Sequence, residues 1–215
     1  MIKTILIFSI LIFSSSLTIA FDSGDFKKLL TTMECAGCDL REVNLENTNL
    51  KGANLRGAIL DYANLKGVNL EFSDLYQVSM KGANLQNAKL EHAFLSKVNF
   101  SDANLNSASV RHSNIKGANF KNANLLNADF SHSYLNSSDF TNSYLSNSQF
   151  KESNLEFVNF NKAVVSDTNF TKANLQNALF LNAKIKSAVF KGADMSGTNW
   201  INGKKCNKKS IGKCY

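Results

Sequence analysis

An unbroken five-residue period runs through most of this chain and limits what it can fold into more than any other feature. Every fifth residue from Leu40 to Trp200 is apolar, 33 positions comprising seventeen Leu, nine Phe, two each of Met, Val and Ile, and one Trp. Two residues before each of these, from Cys38 to Thr198, stands a small or β-branched residue: seventeen Ala, seven Ser, five Val, three Thr and one Cys. A period of five matches neither the roughly 3.6-residue turn of a helix nor an uninterrupted strand. Two inward positions separated by one residue do suit a short extended segment, after which the chain must turn. Each pentapeptide therefore predicts a short side, with its large and small residues pointing in, and a corner that aims the next pair outward. Coils of such sides can pair their backbone groups with the coils above and below. Glycines such as Gly52, Gly57, Gly67, Gly82, Gly117, Gly192 and Gly197 fall at the corners, where turning backbone favours them.

The spacing of phenylalanine indicates the number of sides. From position 100 to 190, Phe fills every tenth residue except Val110. A three-sided coil would mix Phe and Leu in each column. A four-sided coil of twenty residues gives one column of Phe100, Phe120, Phe140, Phe160 and Phe180, a second of Phe130, Phe150, Phe170 and Phe190, and two aliphatic columns, one including Leu85. Thirty-three sides then make about eight coils, a rod on the order of 40 Å long at roughly 4.8 Å per coil.

The units Lys51-Gly-Ala-Asn-Leu55, Lys81-Gly-Ala-Asn-Leu85 and Lys116-Gly-Ala-Asn-Phe120 resemble the A-[DN]-L-x-x unit of the pentapeptide-repeat family, and the resemblance covers residues 36–200. It implies a right-handed quadrilateral β-helix. The flanks resemble those of exported members: Lys28-Leu29-Leu30 before Cys35-Ala-Gly-Cys38-Asp-Leu40, and Gly203-Lys-Lys-Cys206 through Ser210-Ile-Gly-Lys-Cys214. Some members of the family resemble B-DNA in shape and charge and protect gyrase from inhibitors. That role needs a strongly acidic surface and a cytosolic address.

Neither is expected here. Met1, Ile2 and Lys3 lead into an apolar run from Ile5 to Phe13 and a Ser-rich stretch ending at Ala20, the pattern of a secretory signal at 1–20 with cleavage before Phe21. Export to the periplasm or medium favours disulfides. Cys35 and Cys38 lie near one end of the rod and Cys206 and Cys214 near the other. Pairs across the rod would exceed the roughly 4.4–6.8 Å that a disulfide allows between Cα atoms. Local pairs remain; the Cys206–Cys214 loop is of ordinary size, whereas the pairing within the tight Cys35–Cys38 loop stays open. Rod ends need covers. A short helical cap is expected within 21–35, with Phe26, Leu29 and Leu30 facing the first coil, and residues 201–215 are expected to form a second, basic cap.

Lys204, Lys205, Lys208, Lys209 and Lys213 crowd that second cap, against 18 basic and 17 acidic residues in the rest of the chain after the signal. They suit an anionic surface such as lipid headgroups, nucleic acid or wall polymer, or simple solvation of an end. His92, His112 and His132, the three histidines of the chain, are spaced by twenty and so should share one outward column, with Phe72 below and Glu152 above. They read either as aromatic stacking at a solvated corner or as a surface metal site or pH-responsive ladder. Outward aromatics include Phe94 and Tyr134 on one side. No phosphate-binding Gly-rich loop and no nucleophile with a base and an orienting group can be picked out, and small side chains fill the interior. The expectation is a non-enzymatic, exported structural or macromolecule-binding rod with no cofactor, whose partner is a protein or an envelope polymer; the alternative is a DNA-mimicking regulator.

Overall fold

In the computed structural model, residues 22–215 are described, so the expected signal segment lies outside the described residues. Parallel bridges join residues twenty apart all along the chain, from Glu34↔Asn54 to Leu179↔Asn199. One coil therefore holds four five-residue units, and the chain is a β-helical solenoid. Its sides are too short to form long strands. Regular strand is confined to β1, Val164–Ser166, and β2, Lys184–Lys186, which pair in parallel with Val165 opposite Ile185.

Each pentapeptide takes most of its backbone partners from the coils above and below. In the unit beginning at Leu50, the amide of Leu50 donates to Asn69 O at 2.8 Å, that of Gly52 to Glu71 O at 2.8 Å, that of Asn54 to Met33 O at 2.9 Å, and that of Ala53 across the turn to Leu50 O at 3.0 Å. The fifth amide, on Lys51, donates to the side chain of Asn49 at 3.3 Å. The same bond runs from Leu126 to Asn124 and from Gln176 to Asn174. An Asn or Asp precedes the central apolar residue in 21 of the 33 units, and where it bonds in this way it supplies the acceptor that the neighbouring coils do not. The corners share one conformation: φ is positive at every fifth residue from Gly37, at 71°, to Gly197, at 72°. Glycine fills eight of these 33 corners and Asn another eight; both tolerate a left-handed backbone better than other residues do.

The interior is dry. Every central residue from Leu40 to Phe180, Leu85 among them, is buried. Within the two Phe columns, ring centroids one coil apart lie 4.4 Å (Phe120–Phe140) to 5.3 Å (Phe150–Phe170) from each other. Between the columns the rings meet edge to face, from 5.6 Å at Phe120–Phe130 to 6.3 Å at Phe180–Phe190. The two columns therefore lock together across the axis. Trp200 ends both, 5.4 Å from Phe180 and from Phe190. Where serine takes the small inward position, its hydroxyl donates to a backbone carbonyl, as Ser133 does to Val110 and Ser143 to Phe140, so these buried polar groups are satisfied.

Helix α1, Ser23–Thr32, covers the first coil. Asp22 caps its N-terminus by accepting from the amides of Gly24 and Asp25, and left-handed Met33 closes its C-terminus. Leu29 is buried and Phe26 packs on the core, but Leu30 is 44% exposed, contrary to the expectation that it faces the coil. One residue after Leu29, its side chain is turned by roughly 100° away from that face. Asp25 accepts from the Asp39 amide at 2.8 Å, replacing the carbonyl that an earlier coil would have offered.

At the other end, residues after Trp200 fold back antiparallel, with Asp194↔Ile211 and Asn199↔Lys205. Cap carbonyls of Ser210 and Cys206 accept from Met195 and Gly197. A disulfide joins each local cysteine pair: Cys35 to Cys38, with Cα atoms 5.3 Å apart, and Cys206 to Cys214, at 4.9 Å.

Replacing Phe140 by Ala opens a void between both Phe columns and should lower unfolding free energy by about 3–5 kcal/mol, read from chemical denaturation. Asn124→Ala should cost about 1 kcal/mol by removing the acceptor of the Leu126 amide. In contrast, Lys162→Gly at a left-handed, exposed corner should leave stability unchanged or raise it by up to about 1 kcal/mol.

Candidate functional site

The register that stacks the core also stacks the surface. Phe72, His92, His112, His132, Glu152 and Lys172 occupy one corner column, all at positive φ between 56° and 60° or, for His132, at 62°. A common backbone conformation gives successive side chains a common direction, and the coil rise sets their spacing. Phe72 and His92 lie 4.8 Å apart between ring centroids, His92 and His112 5.2 Å, and His112 and His132 4.9 Å, all within 7° of parallel. The column is closed by charge at both ends. Lys51 sits 5.0 Å from the Phe72 ring while pairing with Glu71 at 2.7 Å. His132 Nδ1 lies 3.5 Å from Glu152, whose other oxygen is 3.7 Å from Lys172.

His112, in the middle of the stack, has its pKa lowered by partial burial first, then by its neighbours His132 and His92 and by Arg111, against a smaller opposing pull from Asp129. The three rings are brought together, but as a stack. Two nitrogens on one zinc ion, at roughly 2.0–2.1 Å each, lie within about 4.2 Å of one another, closer than the centroid spacing of these rings. Among the described residues the ligand atoms of the three histidines do not gather within 4.8 Å. The group that does is Asp25 with Cys35 and Cys38, where the sulfurs are already bonded to each other. A shared ion would require the imidazoles to turn out of their stack.

Beside the histidines runs the column Phe94, Asn114, Tyr134, Asn154 and Asn174, linked coil to coil by bridges. Phe94 and Tyr134 are each more than half exposed, and the Lys116 ammonium lies 5.8 Å from the Tyr134 ring. Two shallow, open depressions follow one another between the columns. One, of about 280 Å³, is lined by His92, Phe94, His112 and Lys116; the next, of about 450 Å³, by His132, Tyr134, Glu152, Asn154 and Lys172. The strip offers flat ring faces, carboxamides and one lysine–glutamate pair. These suit adhesion to an extended ligand, and no nucleophile stands there with an activating base. Sequence reasoning found the histidines, Phe72 and Glu152; it missed Lys172 and the Asn114–Asn154–Asn174 wall, which the same count of twenty would have reached.

Lys204, Lys205, Lys208, Lys209 and Lys213 are all exposed on the C-terminal cap, whose Ile211 bridges Asp194 one coil beyond Asn174 at the end of this strip. Lys213 lies over the Tyr215 ring at 4.7 Å.

Comparison with known proteins gives the same repeat. A family model described as pentapeptide repeats (8 copies) matches residues 34–77, 63–102 and 79–117, and one described as a pentapeptide repeat region matches 113–190. No curated protein matches significantly. Among solved structures, HetL from the cyanobacterium Nostoc sp. strain PCC 7120, a pentapeptide repeat protein involved in heterocyst differentiation regulation, is 24% identical over 80% of this chain and 86% of its own, with a TM-score of 0.39. QnrB1, a plasmid-mediated fluoroquinolone resistance protein, is 14% identical over 79% and 87%, with a TM-score of 0.44. A pentapeptide repeat protein of the Arabidopsis thaliana thylakoid lumen is 26% identical over 58% and 85%, with a TM-score of 0.23.

A lowered imidazole pKa means that the unfolded chain binds the proton more readily than the folded one. The contribution is therefore fully present above the ordinary value of about 6.5 and is lost as pH falls from there through the folded value. Melting temperature should drop over that interval, and His112→Gln should flatten the drop relative to the unaltered chain.

Proposed function

Because the chain belongs to the pentapeptide-repeat family, with a packed interior and a ladder of rings and carboxamides on its surface, we propose that it is a non-enzymatic, exported binding module that grips an extended macromolecule along the His92–His112–His132 strip. In this reading the solenoid is right-handed and quadrilateral, with about eight coils. The observation that carries the proposal is the pair of adjacent columns, ring-stacked on one side and carrying exposed Phe94 and Tyr134 on the other. A rigid, shallow surface of this kind presents repeated contacts at the coil spacing, and aromatic side chains bury large area on contact with little loss of freedom. The partner expected is a protein or an envelope polymer.

Two features support export: the signal pattern of residues 1–20 and two disulfides that use all four cysteines. The rival role, a DNA-mimicking regulator, calls for a continuous acidic face. Here the acids are interleaved with cations: Asp74 pairs with Arg56, Asp129 with Arg111 and Asp139 with Lys121.

A photocrosslinker at Tyr134, compared with one at Tyr144 half a coil away, tests the strip in native envelopes. The expected result is an adduct specific to Tyr134 and abolished by His112→Ala; equal labelling from both positions would remove the strip from the interface. The chain isolated from cells should begin at Phe21. A cytosolic chain retaining Met1 would return the regulator reading to first place.

A further inference from the structure

The C-terminal end of the rod is only partly covered, and it carries an unusual pairing of charge with apolar surface. Central residues are buried in every side up to Phe180, but Ile185, Phe190 and Trp200 in the last coil are not fully buried. The reason is geometric. Backbone bonds from the residues after Trp200 reach Ala193, Met195, Gly197, Thr198 and Trp200, and at the start of the last coil only Asn182, whose amide donates to Ile201 O at 3.1 Å, so the fold-back lies chiefly over the second half of that coil. The first half, 181–190, is left as an edge, with Leu181 and Val189 exposed; Ile201, Ile211 and Tyr215 of the cap are exposed beside it. Apolar side chains grouped at one end of a soluble rod mark a contact surface.

The same end is strongly basic. From residue 171 onward the chain has nine lysines and a single acid, Asp194, whereas residues 22–170 have 14 basic and 16 acidic side chains. Asp194 is occupied by Gln176 and Ser196. Among the described residues, no carboxylate lies within 4 Å of the ammonium of Lys184, Lys186 or Lys191, or of any cap lysine, whereas seven of the 14 cations in residues 22–170, Lys51, Arg56 and Arg111 among them, are paired.

We propose that this end docks on an anionic lipid surface, with Lys184, Lys186, Lys191 and the cap lysines on headgroup phosphates and Leu181, Val189, Ile201 and Ile211 entering the interface. Charge complementarity and apolar insertion act together at a membrane surface; a fully hydrated polyanion would use the lysines and leave the aliphatic residues idle. A second copy placed end to end would bring two unpaired lysine clusters together. No helix among the described residues is long and apolar enough to cross a membrane, so the attachment is peripheral. It is independent of what the histidine strip binds.

Co-sedimentation of the full chain with vesicles tests it. Binding is expected to phosphatidylglycerol–phosphatidylcholine vesicles and to weaken with salt, beyond any binding to phosphatidylcholine alone. Each lysine near the surface is worth about fivefold in affinity. Combining Lys184→Glu, Lys186→Glu and Lys191→Glu should therefore weaken binding by about a hundredfold or more, in a chain whose circular dichroism and melting are checked. Lys204→Gln with Lys208→Gln gives a second, structurally milder loss. Leu181→Ser with Val189→Ser should reduce binding while keeping its salt dependence. His112→Ala with Tyr134→Ala should leave it unchanged, which separates this site from the strip. Retention of full binding by the lysine variants would assign adhesion to the apolar segment 5–13 and overturn the proposal. So would tighter binding to duplex DNA or heparin with no effect of the serine variants, or a salt-resistant dimer in sedimentation that those variants dissolve.

Discussion

The backbone hydrogen bonds between successive coils, which bridge residues twenty apart, are the constraint on which everything else in this molecule depends. They fix one coil as four pentapeptides, and they fix what each position in the pentapeptide must be. The central residue must fill the axis and its small companion must leave room for it. The corner must accept a left-handed backbone. An Asn or Asp before the centre, where one stands, offers an oxygen to the one amide that no neighbouring coil serves, as Asn49 does for Lys51. Each unit contributes little alone. Thirty-three in series convert a weak local preference into a fold, because a shift of one residue anywhere would turn every later side chain the wrong way.

The interior was therefore legible residue by residue. Leu85, Phe120 and Phe140 could be placed on the axis from spacing alone, and the alternation of Phe with aliphatic centres anticipated the twenty-residue register that the bridges display. What spacing could not supply was chemistry acting at an angle to the columns. The edge-to-face locking of Phe130 against Phe120 and Phe140 depends on ring rotation, not on register. The ends were legible only in outline. A helix at the first coil was expected, yet Leu30 points to solvent because a short amphipathic face on a four-sided coil has room for Phe26 and Leu29 only. That the C-terminal cap covers only half of the last coil follows from where the chain folds back, near Gly203, which no periodic pattern encodes.

A solenoid with this register has a surface made of columns, so one substitution repeated at intervals of twenty becomes a stripe. The histidine column is such a stripe. Its rings stack because the corners share one φ, and the stacking disfavours both the shared metal ion and the simultaneous protonation of neighbours. His112, with a ring on either side, has its pKa lowered by burial first and then by those neighbours. The chemistry left to the column is that of flat ring faces beside the amides of Asn114 and Asn154.

The sides and the ends of such a rod face different physical problems. A side is finished when its backbone is paired, and its outward residues are then free to vary, which is why the histidine strip can be read as a set of columns. An end is unfinished by construction: a last coil has amides waiting for carbonyls and central side chains with nothing above them. At the first coil, Asp25 and helix α1 complete both requirements. At the last, the fold-back from Gly203 to Tyr215 serves Met195 and Gly197 but leaves Ile185 and Phe190 partly open among unpaired lysines. Repulsion between those lysines opposes pairing of like ends at the uncovered edge. The charge that keeps two copies apart is also the charge that would draw this end to an anionic sheet, so protection from self-association and attraction to such a surface come from the same side chains.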